Sequence, residues 1–286
     1  MNLKKISTAV LSCIVAGSIF TGCGETPKND APKSQIGILT KLNENEKTFN
    51  ENTVKLEESV KLPNMNLLHN YHFYPSLQAM MTALDSKQIQ EICTYRNVAN
   101  YLTGKNPNLE ILPHSIGMTD SFCFAVRKED DALRESLNSA IDTLKKDGNV
   151  DYVAKSYIFY LNPNDEVPIV EIPKIDGADT IKVGVTGDLP PFDLILEDGT
   201  PTGFSARFLF DIGNILNKNI ELVKITGGER ETALTSKKID VALWAIVSSD
   251  NLEKVGSVAK NIDVPDTLAV TAPYYEDEIV HIGLKK

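Results

Sequence analysis

The side chains that could do chemistry in this 286-residue chain are few. His69 and His72 stand three apart near a strand start with no third ligand, so no metal site is expected. Cys13, Cys23, Cys93 and Cys123 show no paired ligand spacing, and four cysteines in a chain this long cannot form a disulfide scaffold. Cys93 and Cys123 could pair or stay as buried free thiols, and spacing leaves both open. There is no glycine-rich phosphate loop, serine elbow or Cys/His pair, and no cofactor is implied. An enzyme needs a positioned acid or base; Asp188 and Asp193 come nearest, with turn or capping roles as the alternative. What remains is recognition chemistry. Phe192, Trp244, Tyr74 and Tyr95 offer aromatic faces, Thr40, Asn43, Ser248 and Ser249 offer hydroxyl or amide edges, and Arg96 and Arg230 offer charge.

These residues need elements to position them. The composition, 42% apolar and 24% charged, is globular, and the length suits one large domain or two ordinary ones. Lys plus Arg number 29 against 39 Asp plus Glu, a net charge of -10, which argues against a nucleic-acid partner. Residues 1–22 read as a signal: Lys4 and Lys5, then a 15-residue apolar run Ile6 to Phe20, short for a membrane span of about 20. Thr21-Gly22-Cys23 resembles a bacterial lipobox, with Phe20 where leucine is commoner, so Cys23 is the expected lipidation site. A non-cleaved anchor or ordinary secretory peptide is the alternative. Cleavage would remove two lysines and no acid, taking -10 to -12, and residues 23–34 would form a flexible tether.

The chain then echoes itself. Thr82-Ala83-Leu84-Asp85-Ser86-Lys87-Gln88-Ile89 and Thr232-Ala233-Leu234-Thr235-Ser236-Lys237-Lys238-Ile239 agree at six of eight positions, 150 residues apart. Each copy ends a helical pattern and precedes an apolar strand, and each half opens with a strand, Gln35 to Leu39 or Ile181 to Val185. Two α/β lobes follow. Between them, Leu133, Leu137, Ile141 and Leu144 mark one helical face, Asp147-Gly148-Asn149 breaks it, and residues 162–179 hold three prolines and no period, as a linker does. Ligands in α/β folds sit beyond the carboxyl ends of strands, which points to Asp188 and Phe192, to Trp244 through Ser249, and to Thr40, Asn43, Tyr74 and Tyr95.

With these elements placed, the chain resembles the extracellular solute-binding proteins that feed ABC importers, in the class containing the amino-acid binders. The resemblance is carried by Asp188-Leu189-Pro190-Pro191-Phe192, Asp198-Gly199, Gly203-Phe204, the segment Ala233 to Asp240, and Ala272-Pro273-Tyr274-Tyr275. It implies a two-lobed, periplasmic-binding-protein-like type II α/β fold with a ligand cleft between the lobes. Residues 35–126 resemble the family's second lobe, 127–161 its closing helices and 180–286 its first lobe. Family members run first lobe, second lobe, closing helices, so the order here suggests a circular permutation, with a broken tandem as the rival. The permuted reading brings Ile36–Leu39 beside Ile279–Leu284 at the hinge.

The resemblance puts Phe192 at the ligand-stacking position, with an inward core role as the alternative for it and for Trp244. The family's carboxylate-binding arginine has no counterpart in Ser248-Ser249-Asp250-Asn251-Leu252, and its amine-binding acid is replaced by Tyr95-Arg96. Arg96 or Arg230 could substitute, or could be surface charges. A planar or apolar ligand with hydroxyl or amide edges is expected rather than a zwitterion. The implied protein is a non-enzymatic, monomeric, lipid-anchored extracytoplasmic receptor that closes on a small molecule by hinge motion and delivers it to an ABC importer permease. A dehydratase-like enzyme on the same fold and a ligand-sensing receptor subunit are the alternatives.

Overall fold

The computed structural model describes residues 34–43, 45–51, 69–113, 119–161, 165, 167–248 and 264–286. The signal segment, Cys23, the tether before Ser34 and Ser249 lie outside the described residues, as do the side chains of His69 and Ser248.

The chain opens with β1 (Ser34–Leu39), β2 (His69–Tyr74), α1 (Leu77–Asp85), β3 (Glu91–Tyr95), α2 (Arg96–Lys105) and β4 (Leu109–Ile111). Helix α1 starts where Ser76, in extended conformation, accepts the Ala79 N–H through its side chain, supplying one of the partners a helix start lacks. Then come β5 (Thr119–Arg127), α3 (Asp131–Lys146) and α4 (Asn149–Ala154), which runs on as a π-helical turn over Lys155–Phe159. Gly148, at φ 69°, makes the expected break between α3 and α4. Residues 167–179 form no helix or strand. The remainder is β6 (Thr180–Val185), the hairpin β7 (Leu194–Ile195) and β8 (Pro201–Thr202), α5 (Phe204–Leu216), β9 (Asn219–Lys224), α6 (Arg230–Thr235), β10 (Val241–Ser248), β11 (Leu268–Val270) and β12 (Tyr275–Leu284).

The described strands apart from the hairpin form one sheet, ordered β2-β1-β3-β12-β5-β10-β6-β9, with β4 on β12 and β11 on β5. It is two copies of one plan. In one copy β1 lies parallel between β2 and β3, and β12 is antiparallel to β3 and β4. In the other β6 lies parallel between β9 and β10, and β5 is antiparallel to β10 and β11. The flanking antiparallel strand of each copy comes from outside that copy's own run of sequence. β12 serves both: Tyr275–Glu278 pair with β5, while Ile279–Ile282 pair with β3. The fold is thus mixed α/β in two lobes, β1–β4 in the one that the resemblance makes the second and β6–β11 in the one that it makes the first.

Strand pairing changes two boundaries expected from sequence. Thr119–Arg127 belongs with first-lobe strands rather than to a second lobe ending at residue 126, and Ile279–Leu284 belongs with second-lobe strands rather than to the first. A strand's lobe is fixed by its hydrogen-bond partners, which side-chain alternation does not encode. Ile36–Leu39 and Ile279–Leu284 share a sheet, but β3 lies between them, so they are not direct neighbours.

The repeated octapeptides build the same corner twice. Lys87 and Lys237 both adopt left-handed φ, 61° and 62°. Ile89 and Ile239 both bond back to the helix, at Ala83 O and Ala233 O. Their Cδ1 atoms then sit 2.7 Å from where a Cβ on Gly37 and Gly184 would stand, which is why each central strand carries a glycine there. Outside the sheet, α3 buries Leu137, Ala140, Ile141 and Leu144 in the core cluster that also holds α5.

Candidate functional site

The carboxyl ends of β1, β3, β6 and β10 converge on a cavity lined from both lobes. The cavity has a volume of about 70 Å³. The second lobe contributes Thr40, Thr94 and Tyr95, and the first contributes Asp188, Arg230 and Trp244.

Trp244 is held with unusual firmness. Its φ is 66°, uncommon for a bulky residue, at a β-bulge where β10 slips against β5 between Ala242 and Ala245. Such strain persists only where the surroundings over-determine it. Here the indole Nε1 donates to Asp193 Oδ2 at 2.9 Å, and the Trp244 carbonyl accepts from Arg230 Nη1 at 2.8 Å. Asp193 also accepts from the N–H and hydroxyl of Thr186. Both candidate acid–base groups are therefore engaged as acceptors, Asp193 here and Asp188 through Oδ1 with Leu77 N–H at 3.0 Å. Burial raises the Asp188 carboxyl above the usual range, opposed by that amide and by nearby Arg230.

Asp120, on β5, adds a buried carboxylate that accepts from the Tyr95 hydroxyl at 3.1 Å. Directly across the strand pair stands Asp277, also buried, which accepts the Asn97 and Glu278 amides. Burial pushes the Asp277 carboxyl up to about 6. Arg230 is 7% exposed and donates to three carbonyls, Gly227, Trp244 and Thr40.

Of the residues singled out by sequence, Thr40, Tyr95, Asp188 and Trp244 come together in the cavity. Phe192 does not. Its ring has 0% exposure and packs edge-on against Phe122, Phe204, Trp244 and Tyr275, so the stacking role is corrected to a core role. The run Asp188 to Phe192 turns inward after β6, and that turn is invisible to residue type. Asn43 is exposed and outside the lining, and Tyr74 sits over Gly37, where its carbonyl receives Thr40. Arg96 ties α2 to β12 through a two-pronged bond to Glu278 at 2.5 and 2.9 Å, also outside the cavity. Asp120 and Thr94 were missed. Tyr95 was the available signal for Asp120, since a buried phenol needs an acceptor.

Cys93 and Cys123 are buried and form no disulfide, with Cys93 in the lining and the Cys123 thiol pushed up to about 12 by burial. Among the described residues no group of three or more His, Cys, Asp or Glu could hold a metal, and no helix is long and apolar enough to cross a membrane.

No curated protein matches the chain. Among solved structures, the ligand-binding component of an ABC-type import system from Staphylococcus aureus, with zinc bound, aligns at 14% identity and TM-score 0.39 over 89% of this chain and 66% of that one, just under two thirds of its length. A periplasmic substrate-binding protein of an ABC transporter from Coxiella burnetii aligns at 9% identity and TM-score 0.38, over 88% and 84%. A nutrient-binding protein from Burkholderia cenocepacia bound to methionine aligns at 10% and 0.39, over 88% and 84%. Residues 181–274 match the family described as bacterial extracellular solute-binding proteins, family 3.

Proposed function

We infer that the protein is a non-enzymatic, extracytoplasmic receptor that encloses a small solute between its lobes and hands it to an ABC importer permease, held at the membrane through lipid on Cys23. The observation that carries this reading is the cavity at the carboxyl ends of strands from both lobes, where Tyr95 and Thr40 face Trp244, Asp188 and Arg230. Binding is favoured over a dehydratase-like reaction because Asp188 and Asp193 already serve as hydrogen-bond acceptors for the fold.

The solute is a small neutral molecule with polar edges rather than a free amino acid. Asp188 and Arg230 lie near enough to offset each other, and Arg230 already gives three of its five N–H donors, one from each nitrogen, to main-chain carbonyls. The lobes follow one another in permuted order, a reading that rests on the resemblance of residues 35–126 to the family's second lobe and on the place of β1–β4 before β6–β11 in the chain. The test is a titration of the full chain with neutral polar solutes and with free amino acids, followed by the emission of Trp244, the only tryptophan.

A further inference from the structure

Two buried charged side chains of the first lobe reach main-chain groups of the second. Arg230 is anchored in its own lobe by Nε on Gly227 O and Nη1 on Trp244 O, and its Nη2 crosses to Thr40 O at 2.9 Å. Asp188 crosses in the same sense, its Oδ1 accepting the N–H of Leu77, the first residue of α1. The backbones themselves come close: a Cβ on Gly227 would stand 3.3 Å from Pro75 O. Neither crossing bond involves an atom outside the chain, so both can form whether or not the cavity is filled.

We propose that Asp188 and Arg230 are an interlobe latch, holding the closed form through second-lobe main-chain groups so that closure does not depend on solute contacts. Both residues are 7% exposed, and each bond carries a formal charge on one partner. Losing one such bond shifts the open-to-closed ratio by about tenfold or more. The consequence is selective: the solute must fit a cavity the latch has already shaped.

Leu77→Pro is the sharpest test. Ser76, before it, has φ -157° and ψ 158°, the extended geometry a following proline requires, and proline is favoured at the first helical position. The variant deletes the donated N–H and little else of the backbone. Acrylamide quenching of Trp244, 3% exposed in the closed form, reads opening in the full chain with no solute added. The wild type should be weakly quenched. Leu77→Pro and Asp188→Ala should each be quenched severalfold more with far-UV circular dichroism retained, and the double variant should match the singles. Strong quenching of the wild type, or a folded variant quenched no more than the wild type, overturns the latch. Should Leu77→Pro fail to fold, Asp188→Ala is read by the same criteria. The inference rests on the two-lobed receptor reading, but its test uses no solute, so a failed latch and failed solute binding are separate results.

Discussion

Phe192 shows how far residue type alone carries an argument. An aromatic after a strand end is compatible with a ligand platform or with a core, and burial decides between them. Its ring centroid lies 5.0 Å from that of Tyr275 and 5.5 Å from that of Phe122, and the residue itself is fully buried. Phe192→Ala should therefore cost about 3–5 kcal/mol of folding free energy, read as a lower urea midpoint. A near-normal midpoint with weakened solute binding would return the residue to the cleft. Tyr95 is the converse case. Expected at the site from its position after a strand, it lines the cavity and also orients Asp120, a carboxylate 25 residues away that no local pattern connects to it.

At the scale of elements, the strands that join the lobes carry their own titration. Asp120 on β5 faces Asp277 on β12, and Asp277 is further surrounded by Glu278, Asn97 and Tyr275, with Arg96 bound to Glu278. Burial is the main reason its carboxyl is raised to about 6 from the ordinary 3.8. A raised carboxyl stabilises the fold most below the ordinary value and loses that contribution as pH climbs through about 6. The difference is worth about 3 kcal/mol at most. Asp277→Asn keeps an acceptor for the Asn97 amide and does not titrate. Between pH 4 and pH 7 the wild type should lose stability relative to this variant, whereas parallel curves in a denaturant series would remove the raised carboxyl from the account. The elements themselves were largely legible: the octapeptide repeat gave both helix–strand corners, and the apolar runs gave β1 and β6. The ownership of β5 and β12 was not, because it rests on hydrogen bonds between segments more than 100 residues apart.

At the scale of the whole molecule, the two copies of the sheet plan each borrow a strand, which makes the order in which the lobes occur a matter of connection rather than of packing. If the order is permuted, a rearranged chain with residues 180–286 placed before 35–161 should fold to the same cavity, with the same weakly quenched Trp244. A rearranged chain that stays unfolded would count against it. Part of the cleft was legible because strand ends are: Thr40, Tyr95 and Asp188 end or follow a strand, while Trp244 sits at the bulge within β10. The rest was not, because a lining residue such as Asp120 on β5 is placed by pairing with β10 and β12, strands more than 100 residues away.

The most direct measurement is the Trp244 titration of the full chain across neutral polar solutes and free amino acids. A receptor with its solute between the lobes predicts a saturable, one-site change in emission with at least one small neutral polar solute, and none with free amino acids. Micromolar binding of a free amino acid, about -8 kcal/mol, would contradict the ligand class. Saturable binding that leaves Trp244 unchanged would contradict the site itself.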